Sequence, residues 1–416
     1  MHIAIFMDQH PRSLGGIQTS VMLQKKFLER AGHRVTIIAP NSVKHRATDN
    51  VWLLPAWPLD LRGEFGFVAN VRRSRKRLDR GWDELEHKFD LVHIQGEMWS
   101  GIIGLGFALR HRLPVVMTMH FNMGKSISDV IGNRITRYLF WLLSRELLKH
   151  VNRPRNTVGD PWNYLRLLAA EAAVVFAPSR HYALDLERHG VSEKVEVVHN
   201  GVDDDIVRRI LESEENASSK ANELNDAAAH KTRQEKSVRL VWSGRMQWEK
   251  RPLEFLQAVS DSGIEAQVEL YGRGILMRKA QRLARELKLN NVHFKGSVPY
   301  SRMLRAFADA DALVQTSVGF ETQGMTVYEA AAVGTPSILC DHNIAKEFGA
   351  GTMWVVADDS VASLAKSLRR AVDDILAGDE RYKKLARENH ILQSGATNRM
   401  LRFYKSVVSK SQAPKY

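Results

Sequence analysis

The 416-residue sequence contains a single cysteine, Cys340, and lacks a long apolar run. One thiol excludes a disulfide framework and a cysteine-rich metal site. No stretch approaches the roughly 20 apolar residues that a membrane-spanning helix needs. The first residues read as an apolar strand without the basic region of a signal peptide, so we expect a cytoplasmic protein.

Acidic residues are in deficit, since 47 Asp and Glu face 60 Lys and Arg and the formal net charge is +13. The first 200 residues contain 28 basic and 19 acidic residues, and the difference of +9 is most of the excess. This excess indicates an anionic partner: nucleotide phosphates, an anionic membrane surface or nucleic acid. No nucleic-acid-binding signature accompanies it, so we expect no nucleic acid partner.

Short apolar segments alternate with helix-forming segments in both halves of the sequence, which predicts α/β domains with parallel sheets covered on both faces. The predicted strands are His2–Met7, Val35–Ala39, Leu91–Ile94, Val115–Met119, Ala173–Ala177, Leu240–Ser243, Val268–Tyr271, Val292–Phe294, Ala312–Gln315 and Ser337–Cys340. The length suits two domains. We predict two doubly wound, Rossmann-like domains, residues 1–199 and 200–396, facing across a cleft at the carboxyl ends of their strands.

Three segments depart from this alternation. Residues 212–235 are polar and of low complexity, and we interpret them as an exposed helical or disordered insertion. Val68–Phe89 and Ile131–Leu148 carry apolar and aromatic residues at helical spacing among cations. Such segments suit either a helix at a lipid interface or a core helix with a solvated face. The residues predicted to contact an anionic membrane are Arg72, Arg73, Arg75, Lys76, Arg77 and Trp141.

Three local motifs have the chemistry of a phosphate and sugar site. Gly15-Gly16 opens a helix after the first strand, where backbone N–H groups can approach an anion, although glycine pairs also serve simply as turns. It is not a G-x-G-x-x-G motif, which argues against a dinucleotide-dependent dehydrogenase. Arg245 and Lys250 follow a predicted strand and could converge on one pyrophosphate or be ordinary surface cations.

The third motif is a pair of carboxylates, Glu321 and Glu329, with seven residues between them. Carboxylates accept hydrogen bonds from the vicinal hydroxyls of a sugar or a ribose. The alternative is that they are ordinary loop and helix-surface acids. Asp203-Asp204-Asp205 could be mistaken for a metal-binding motif, but we interpret it as a helix cap.

Taken in order, the motifs resemble those of GT-B glycosyltransferases of the retaining family 4 type. The matching stretches are Gly15-Gly16, Gly32-His33-Arg34-Val35, Thr118-Met119-His120, Ala177-Pro178-Ser179, Asn200-Gly201-Val202-Asp203, Gly244-Arg245 with Lys250, Gly272-Arg273-Gly274 and the two glutamates. The stretch Glu321–Thr326 looks most like lipid-directed members, such as diacylglycerol glucosyltransferases and phosphatidylinositol mannosyltransferases. The sequence departs from the family pattern at Gln323, where many relatives have an aromatic residue, and at Arg251, where a glycine is common.

The resemblance implies catalytic roles for His120, Arg245, Lys250 and Glu321. His120 would lie beside the donor hexose, although a histidine after a strand is also often structural. The implied donor-binding residues are Gly15, Gly16, Gly244, Arg245, Lys250, Gly272, Glu321, Gly324, Met325, Thr326 and Glu329. Lys250 and Arg245 would neutralise the leaving diphosphate, Glu321 would hold the donor sugar and Glu329 the ribose. The last helix, within residues 397–416, would cross back onto the first domain.

We therefore expect a retaining hexosyltransferase that uses a nucleotide-diphosphate sugar of the UDP-glucose or GDP-mannose type, with no cofactor and no metal. The expected acceptor is a membrane lipid, in glycolipid or cell-envelope biosynthesis, with the enzyme peripheral on the inner face of the cell membrane. The alternatives are transfer to a soluble or polyprenyl-linked glycan and a non-catalytic GT-B scaffold that binds nucleotide or membrane.

Overall fold

In the computed structural model the chain forms two compact units, Met1–Gly201 with Gln393–Tyr416 (unit 1) and Val202–Leu392 (unit 2). These boundaries lie within a few residues of those predicted at 199/200 and 396/397. The described residues are 1–13, 15–45, 50–58, 66–68, 71–121, 133–150, 159–224, 237–349, 351–378 and 391–412.

Unit 1 is built on a sheet of seven strands flanked by helices. The strands are β1 (His2–Phe6), β2 (Arg34–Pro40), β3 (Val51–Leu54), β4 (Trp57–Pro58), β5 (Gly66–Phe67), β6 (Leu91–Ile94), β7 (Val115–Thr118), β8 (Val174–Ala177) and β9 (Val195–Val197). The helices are α1 (Gly16–Arg30), α2 (Val71–Glu84), α3 (Trp99–Arg110), α4 (Asn133–Leu147), α5 (Pro161–Ala169) and α6 (Arg180–Arg188). The sheet order is β3-β2-β1-β6-β7-β8-β9, while β4 and β5 form a separate antiparallel pair.

Unit 2 repeats this plan with six strands. They are β10 (Arg239–Ser243), β11 (Gln267–Tyr271), β12 (Val292–Gly296), β13 (Ala312–Gln315), β14 (Ser337–Leu339) and β15 (Trp354–Val355), in the order β12-β11-β10-β13-β14-β15. The helices are α7 (Asp204–Leu224), α8 (Pro252–Ser262), α9 (Met277–Glu286), α10 (Tyr300–Ala308), α11 (Met325–Ala332), α12 (His342–Ala345) and α13 (Val361–Leu376). The last helix, α14 (Gln393–Gln412), belongs to unit 1.

Both sheets are parallel throughout, which confirms the predicted α/β fold class. Their central strands are buried on both faces because successive side chains enter opposite cores. In β1, Ile3 and Ile5 pack in the core that includes α1 and α14, whereas Ala4 and Phe6 pack in the core on the opposite face. This double burial explains why the strands appear as uninterrupted apolar runs in the sequence.

In each sheet the first strands are added from the centre toward one edge. The chain then returns to the centre, and the remaining strands are added toward the other edge. The reversal falls between β1 and β6 in unit 1 and between β10 and β13 in unit 2. Loops at the carboxyl ends of such strand pairs are where doubly wound folds bind ligands. The described residues of these loops are 7–13, 15 and 95–98 in unit 1, and 244–251 and 316–324 in unit 2.

The segment predicted as an insertion begins inside a helix. Residues 212–224 continue α7, and residues 225–235 lie outside the described part of the chain. At the start of this helix the carboxylate of Asp203 accepts a hydrogen bond from the Asp205 N–H at 3.0 Å. The acidic triplet thus provides a helix cap. Among the helices that the structure describes, none is both long and apolar enough to cross a bilayer.

Candidate active site

An ion pair lies at the carboxyl edge of the unit 2 sheet. Lys250 ends a single 3₁₀ turn, Trp248–Lys250, after β10, and Glu321 lies in the loop after β13. The Lys250 ammonium bonds to Glu321 Oε1, and the Ser317 hydroxyl donates to the same oxygen at 2.9 Å. The Lys250 and Glu321 side chains are only 20% and 15% exposed. Water therefore screens this pair less than it would a surface pair.

The charge of Glu321 depends on its neighbours. Burial alone would raise the pKa of this carboxyl, but the Lys250 ammonium, the Ser317 hydroxyl and the Arg245 guanidinium lower it further than burial raises it. The net effect is a pKa below the ordinary value, so Glu321 is ionised at neutral pH.

Lys250 is held in place through its backbone and its stem. The Thr316 hydroxyl at the end of β13 donates to the Lys250 carbonyl, and the Trp242 indole N–H donates to the Thr316 oxygen at 2.9 Å. The aliphatic stem of Lys250 lies over Gly244, where a Cβ would come 3.4 Å from Lys250 Cδ. Arg251, which departs from the family pattern described above, adopts the left-handed conformation that glycine favours, with φ of 51°.

Arg245 lies at the rim of this edge with its side chain 59% exposed, and its Nη2 is 3.3 Å from Glu249 Oε1. The loops after β10 and β11 run in close contact beneath it. Gly272 has φ of 126°, and a Cβ there would lie 1.9 Å from the Gly244 carbonyl oxygen. Position 272 therefore requires glycine, and the absence of a side chain there lets the backbone of the loop after β11 approach the Gly244 carbonyl.

Helix α11 begins next to this cluster in sequence. Gly324 precedes it with φ of 78°, and a Cβ there would lie 2.6 Å from Ile344 Cδ1. Met325 and Thr326 form the first turn, whose N–H groups and partial positive charge favour an anion. Glu329 is buried in the next turn, and burial raises its pKa to about 8.

In unit 1 the predicted glycine pair lies at the start of α1. Gly15 and Gly16 are both exposed, so a ligand can approach their backbone. The backbone of Gly15 is extended, with φ of 168°, and the constraint on this residue is space. A Cβ at Gly15 would lie 2.2 Å from the side-chain oxygen of Gln18.

His120 follows β7 and is buried. Its ring Nε2 lies 2.9 Å from Gln95 Oε1, and its backbone N–H donates to the Glu97 carboxyl group. Burial lowers the pKa of His120 to about 4, so the ring is neutral at pH 7. Because Gln95 and Glu97 come directly after β6, the loop after that strand and the loop after β7 meet at His120.

The cations predicted to contact a membrane lie on one surface of α2. Ser74 and Leu78 form the buried side of this helix. The exposed cations of the helix are Arg72, Arg73, Arg75, Lys76, Arg77 and Arg80, and the first five are those predicted to contact a membrane. Arg73 and Arg77 also line a groove of 740 Å³ whose wall includes Trp57, a residue that is 72% exposed.

The second basic segment forms α4. Trp141 is half-buried, with its ring 5.8 Å from that of Tyr138 and 5.5 Å from the Arg145 guanidinium. The outward apolar side chains of this helix are instead Ile135 and Tyr138, each 62% exposed. If α4 touches lipid, these two residues make the contact more directly than Trp141.

The structure brings Arg245, Lys250 and Glu321 together, while His120 and the glycine pair lie in unit 1. Sequence reasoning missed Gln95, Glu97, Thr316 and Ser317, which hold these groups. The signal that could have found them is position, since all four follow directly on a buried strand at the carboxyl edge of a sheet.

Comparison with known protein families gives two consecutive matches. Residues 14–206 match Glycosyltransferase Family 4, and residues 223–389 match Glycosyl transferases group 1. The chain is a glycosyltransferase with a Family 4 domain followed by a group 1 domain. The resemblance drawn from the motifs is confirmed, as is the two-domain GT-B fold.

Two characterised relatives of this glycosyltransferase have the same name, alpha-monoglucosyldiacylglycerol synthase. The protein from Acholeplasma laidlawii is 30% identical over 142 residues, which are 33% of this chain and 34% of the relative. The protein from Streptococcus pneumoniae is 23% identical over 349 residues, 81% of this chain and 70% of the relative. The first match thus spans about a third of the relative it matches.

Among solved structures, Anabaena HepE in complex with UDP and glucose superimposes with a TM-score of 0.67. It is 15% identical to this glycosyltransferase, and the match covers 98% of this chain and 100% of HepE. At this identity the likeness establishes the fold.

Proposed function

We propose that this glycosyltransferase is a retaining hexosyltransferase that moves a sugar from a nucleotide-diphosphate donor, of the UDP-glucose or GDP-mannose type, to a membrane lipid. The observation that carries the proposal is the shielded Lys250–Glu321 pair, with Arg245 beside it, at the ligand-binding edge of unit 2. The same edge leads into α11, whose N-terminus favours an anion.

The donor chemistry requires positive charge where a diphosphate leaves. Breaking the bond between the anomeric carbon and the phosphate oxygen builds negative charge on the diphosphate, and fixed cations and backbone dipoles stabilise it. Lys250, Arg245 and the N–H groups of Met325 and Thr326 are the groups we assign to it. With these groups in place, we propose that transfer proceeds without a metal ion.

Glu321 and Glu329 are assigned to hydroxyl groups of the donor. Glu321 is ionised and accepts hydrogen bonds from the hexose, while Glu329 accepts from the ribose. We propose front-face attack: the acceptor oxygen bonds to the anomeric carbon on the side from which the phosphate leaves. The hydroxyl proton of the acceptor passes to the departing phosphate oxygen, so atoms and charges balance and the configuration is retained.

The acceptor assignment rests on the relatives and on charge. Both characterised relatives are named for a glucosyldiacylglycerol product. The exposed cations of α2 suit an anionic lipid surface, to which juxtamembrane Lys and Arg residues are attracted. We therefore propose a lipid of the diacylglycerol or phosphatidylinositol type, and a peripheral enzyme on the cytoplasmic face of the cell membrane.

The test is a transfer assay with purified protein, a panel of UDP- and GDP-hexoses and mixed vesicles that contain diacylglycerol and phosphatidylinositol, with and without EDTA. We expect a glycolipid product that forms equally well in EDTA. Nucleotide release without lipid product would favour a soluble or polyprenyl-linked glycan acceptor. Nucleotide binding with no turnover on any acceptor would favour a non-catalytic scaffold.

A further inference from the structure

A buried hydrogen-bond network in unit 1 ends at the His120 ring. The side-chain amides of Gln95 and Gln24 face each other: Gln95 Nε2 donates to Gln24 Oε1, and Gln24 Nε2 lies 3.4 Å from Gln95 Oε1. Gln24 Nε2 also donates to the Ser20 hydroxyl at 3.1 Å, and that hydroxyl donates to Asn200 Oδ1 at 2.6 Å. In this arrangement each amide donates to the oxygen of the other, and the Gln95 oxygen lies on the side of Gln24 Nε2.

In this arrangement Gln95 presents its oxygen to His120. A carbonyl oxygen only accepts, so the His120 Nε2 that lies 2.9 Å from it must carry the hydrogen. The neutral ring then has Nδ1 unprotonated. Gln95 is 1% exposed and His120 is 5% exposed, so bulk water does not compete for this bond.

The network extends to the last helix. Gln95 Nε2 lies 3.4 Å from His93 Nδ1, the Tyr404 hydroxyl on α14 bonds to the same nitrogen, and His93 Nε2 lies 2.7 Å from the Thr118 hydroxyl. His93 is fully buried. Behind Gln95 there is therefore a layer of polar groups whose positions are set by α14 and by β7.

Glu97 holds the backbone at His120. Its Oε1 accepts hydrogen bonds from the N–H groups of His120 and, at 3.0 Å, of Phe121. On the other side of this segment, the Tyr182 hydroxyl donates to the Phe121 carbonyl at 2.8 Å. The loop that carries Glu97 is itself tied, because the Tyr164 hydroxyl donates to the Glu97 carbonyl at 2.6 Å.

We propose that Gln95 and Glu97 are positioning residues for the transfer reaction: Gln95 fixes the tautomer and tilt of the His120 ring, and Glu97 fixes the peptide that carries it. The inference rests on the proposed function and on the placement of His120 beside the donor hexose that the family resemblance implies. Neither side chain needs to touch substrate. Burial raises the pKa of the Glu97 carboxyl to about 8, so it is mostly protonated at pH 7 and one oxygen remains to accept both N–H bonds.

The test of Gln95 compares Gln95→Met with Gln393→Met. Gln393 is another fully buried glutamine of unit 1, and its amide bonds to the Gly201 N–H and the Thr397 hydroxyl. The measurements are kcat and donor KM, the thermal midpoint, and the nitrogen spectrum of ¹⁵N-histidine-labelled protein, in which His120→Asn identifies the His120 signals.

We expect the wild-type spectrum to show His120 protonated at Nε2, and Gln95→Met to shift this tautomer. We expect the two variants to have similar thermal midpoints and a donor KM close to that of wild type. The kcat of Gln95→Met should be about tenfold to a hundredfold lower than that of Gln393→Met, because small displacements of groups in an active site slow the reaction by such factors. An unchanged His120 tautomer in Gln95→Met, or equal kcat in the two variants, overturns the role of Gln95.

Glu97 is tested by conservative rescue. Glu97→Gln keeps an oxygen for both N–H groups and should retain kcat within about threefold, whereas Glu97→Leu should lose about tenfold to a hundredfold. Equal loss in both variants overturns the role of Glu97. If the wild-type protein transfers no sugar from any donor, the proposed function is wrong. The nitrogen spectrum would still show whether Gln95 sets the tautomer of His120.

Discussion

Lys250 and Glu321 form an ion pair across 71 residues of sequence. They meet because β10 and β13, which lie on either side of the reversal in unit 2, are hydrogen-bonded neighbours. The cation assigned to the leaving diphosphate thus already has an anionic partner, and that partner is the residue assigned to the donor sugar. The donor phosphates would bind beside this pair. A change at either residue should therefore disturb the other and lower turnover.

Replacing Lys250 with Ala should lower turnover by about 10²–10³-fold, because it removes a charge that stabilises the leaving group. It should also destabilise unit 2, since Glu321 is then buried without its cation. The double variant Lys250→Met with Glu321→Gln should recover the lost stability but not the turnover. Steady-state kinetics and thermal unfolding of the three proteins make this measurement. Near-normal turnover in Lys250→Ala would remove Lys250 from the site.

Glu329 should make unit 2 less stable as the pH rises. Its pKa in the folded protein is about 8, above the ordinary value of 4.5, so the folded state binds the proton more tightly. The stabilisation is full below pH 4.5 and is lost as the pH rises through 8. Between pH 5 and 8 the free energy of unfolding of the wild-type protein should fall by on the order of a few kcal/mol more than that of Glu329→Gln.

The measurement is the free energy of unfolding by denaturant at several pH values. Glu286→Gln, a change at an exposed glutamate of α9, is the control and should leave the pH dependence as in wild type. Parallel curves for Glu329→Gln and wild type would show that Glu329 is not the buried, protonated group described above.

The exposed cations of α2 should hold the enzyme on anionic lipid. Changing Arg72, Arg73, Lys76 and Arg77 to Gln leaves Arg75, which lies 3.5 Å from Asp79, in place. Binding to phosphatidylglycerol-containing vesicles should weaken by about 1 kcal/mol per charge removed, and neutral vesicles should be unaffected. Vesicle co-sedimentation at low and high salt provides the measurement.

A charge-matched control is available in unit 2. The helix α9 carries four exposed cations, Arg278, Lys279, Arg282 and Arg285, and their replacement by Gln removes the same charge. Equal weakening in the two fourfold variants would mean that net charge, not the surface of α2, governs vesicle binding.

Arg251 should tolerate glycine better than alanine. Its left-handed conformation costs a residue with a Cβ about 1 kcal/mol or more, and glycine avoids that cost. The Arg251 guanidinium offsets part of the cost through its bond to the Asp359 carbonyl. The free energy of unfolding of Arg251→Gly should therefore lie within about 1 kcal/mol of the wild-type value. It should exceed that of Arg251→Ala by a similar amount. Chemical denaturation of the three proteins tests this, and an alanine variant as stable as the glycine variant would contradict it.

Much of the fold could be read from the sequence because the central strands are buried on both faces. Leu91–Ile94 and Ala312–Gln315 were predicted with the bounds that the structure gives them. The strands β3, β9 and β15 were not predicted. They have two to four residues each and lie at or next to a sheet edge, where partial exposure breaks the apolar run.

The charged groups of the site were predictable for a different reason. Arg245, Lys250, Glu321 and Glu329 stand in motifs with glycines and at fixed spacing, so a resemblance could identify them. Gln95 and Glu97 stand in no such motif, and only the packing of the loops after β6 and β7 shows what they hold. Arg251 departs from the family pattern in its side chain, but its backbone has the left-handed conformation that glycine favours.

Transfer of a hexose to lipid with retention can be observed by proton NMR of the glycolipid formed from an α-linked nucleotide-hexose and diacylglycerol in anionic vesicles. Retention predicts a single product with the α-anomeric signal, formed by wild-type protein and lost in Lys250→Ala. A β-anomeric product, or a glycolipid formed equally fast by Lys250→Ala, would contradict it.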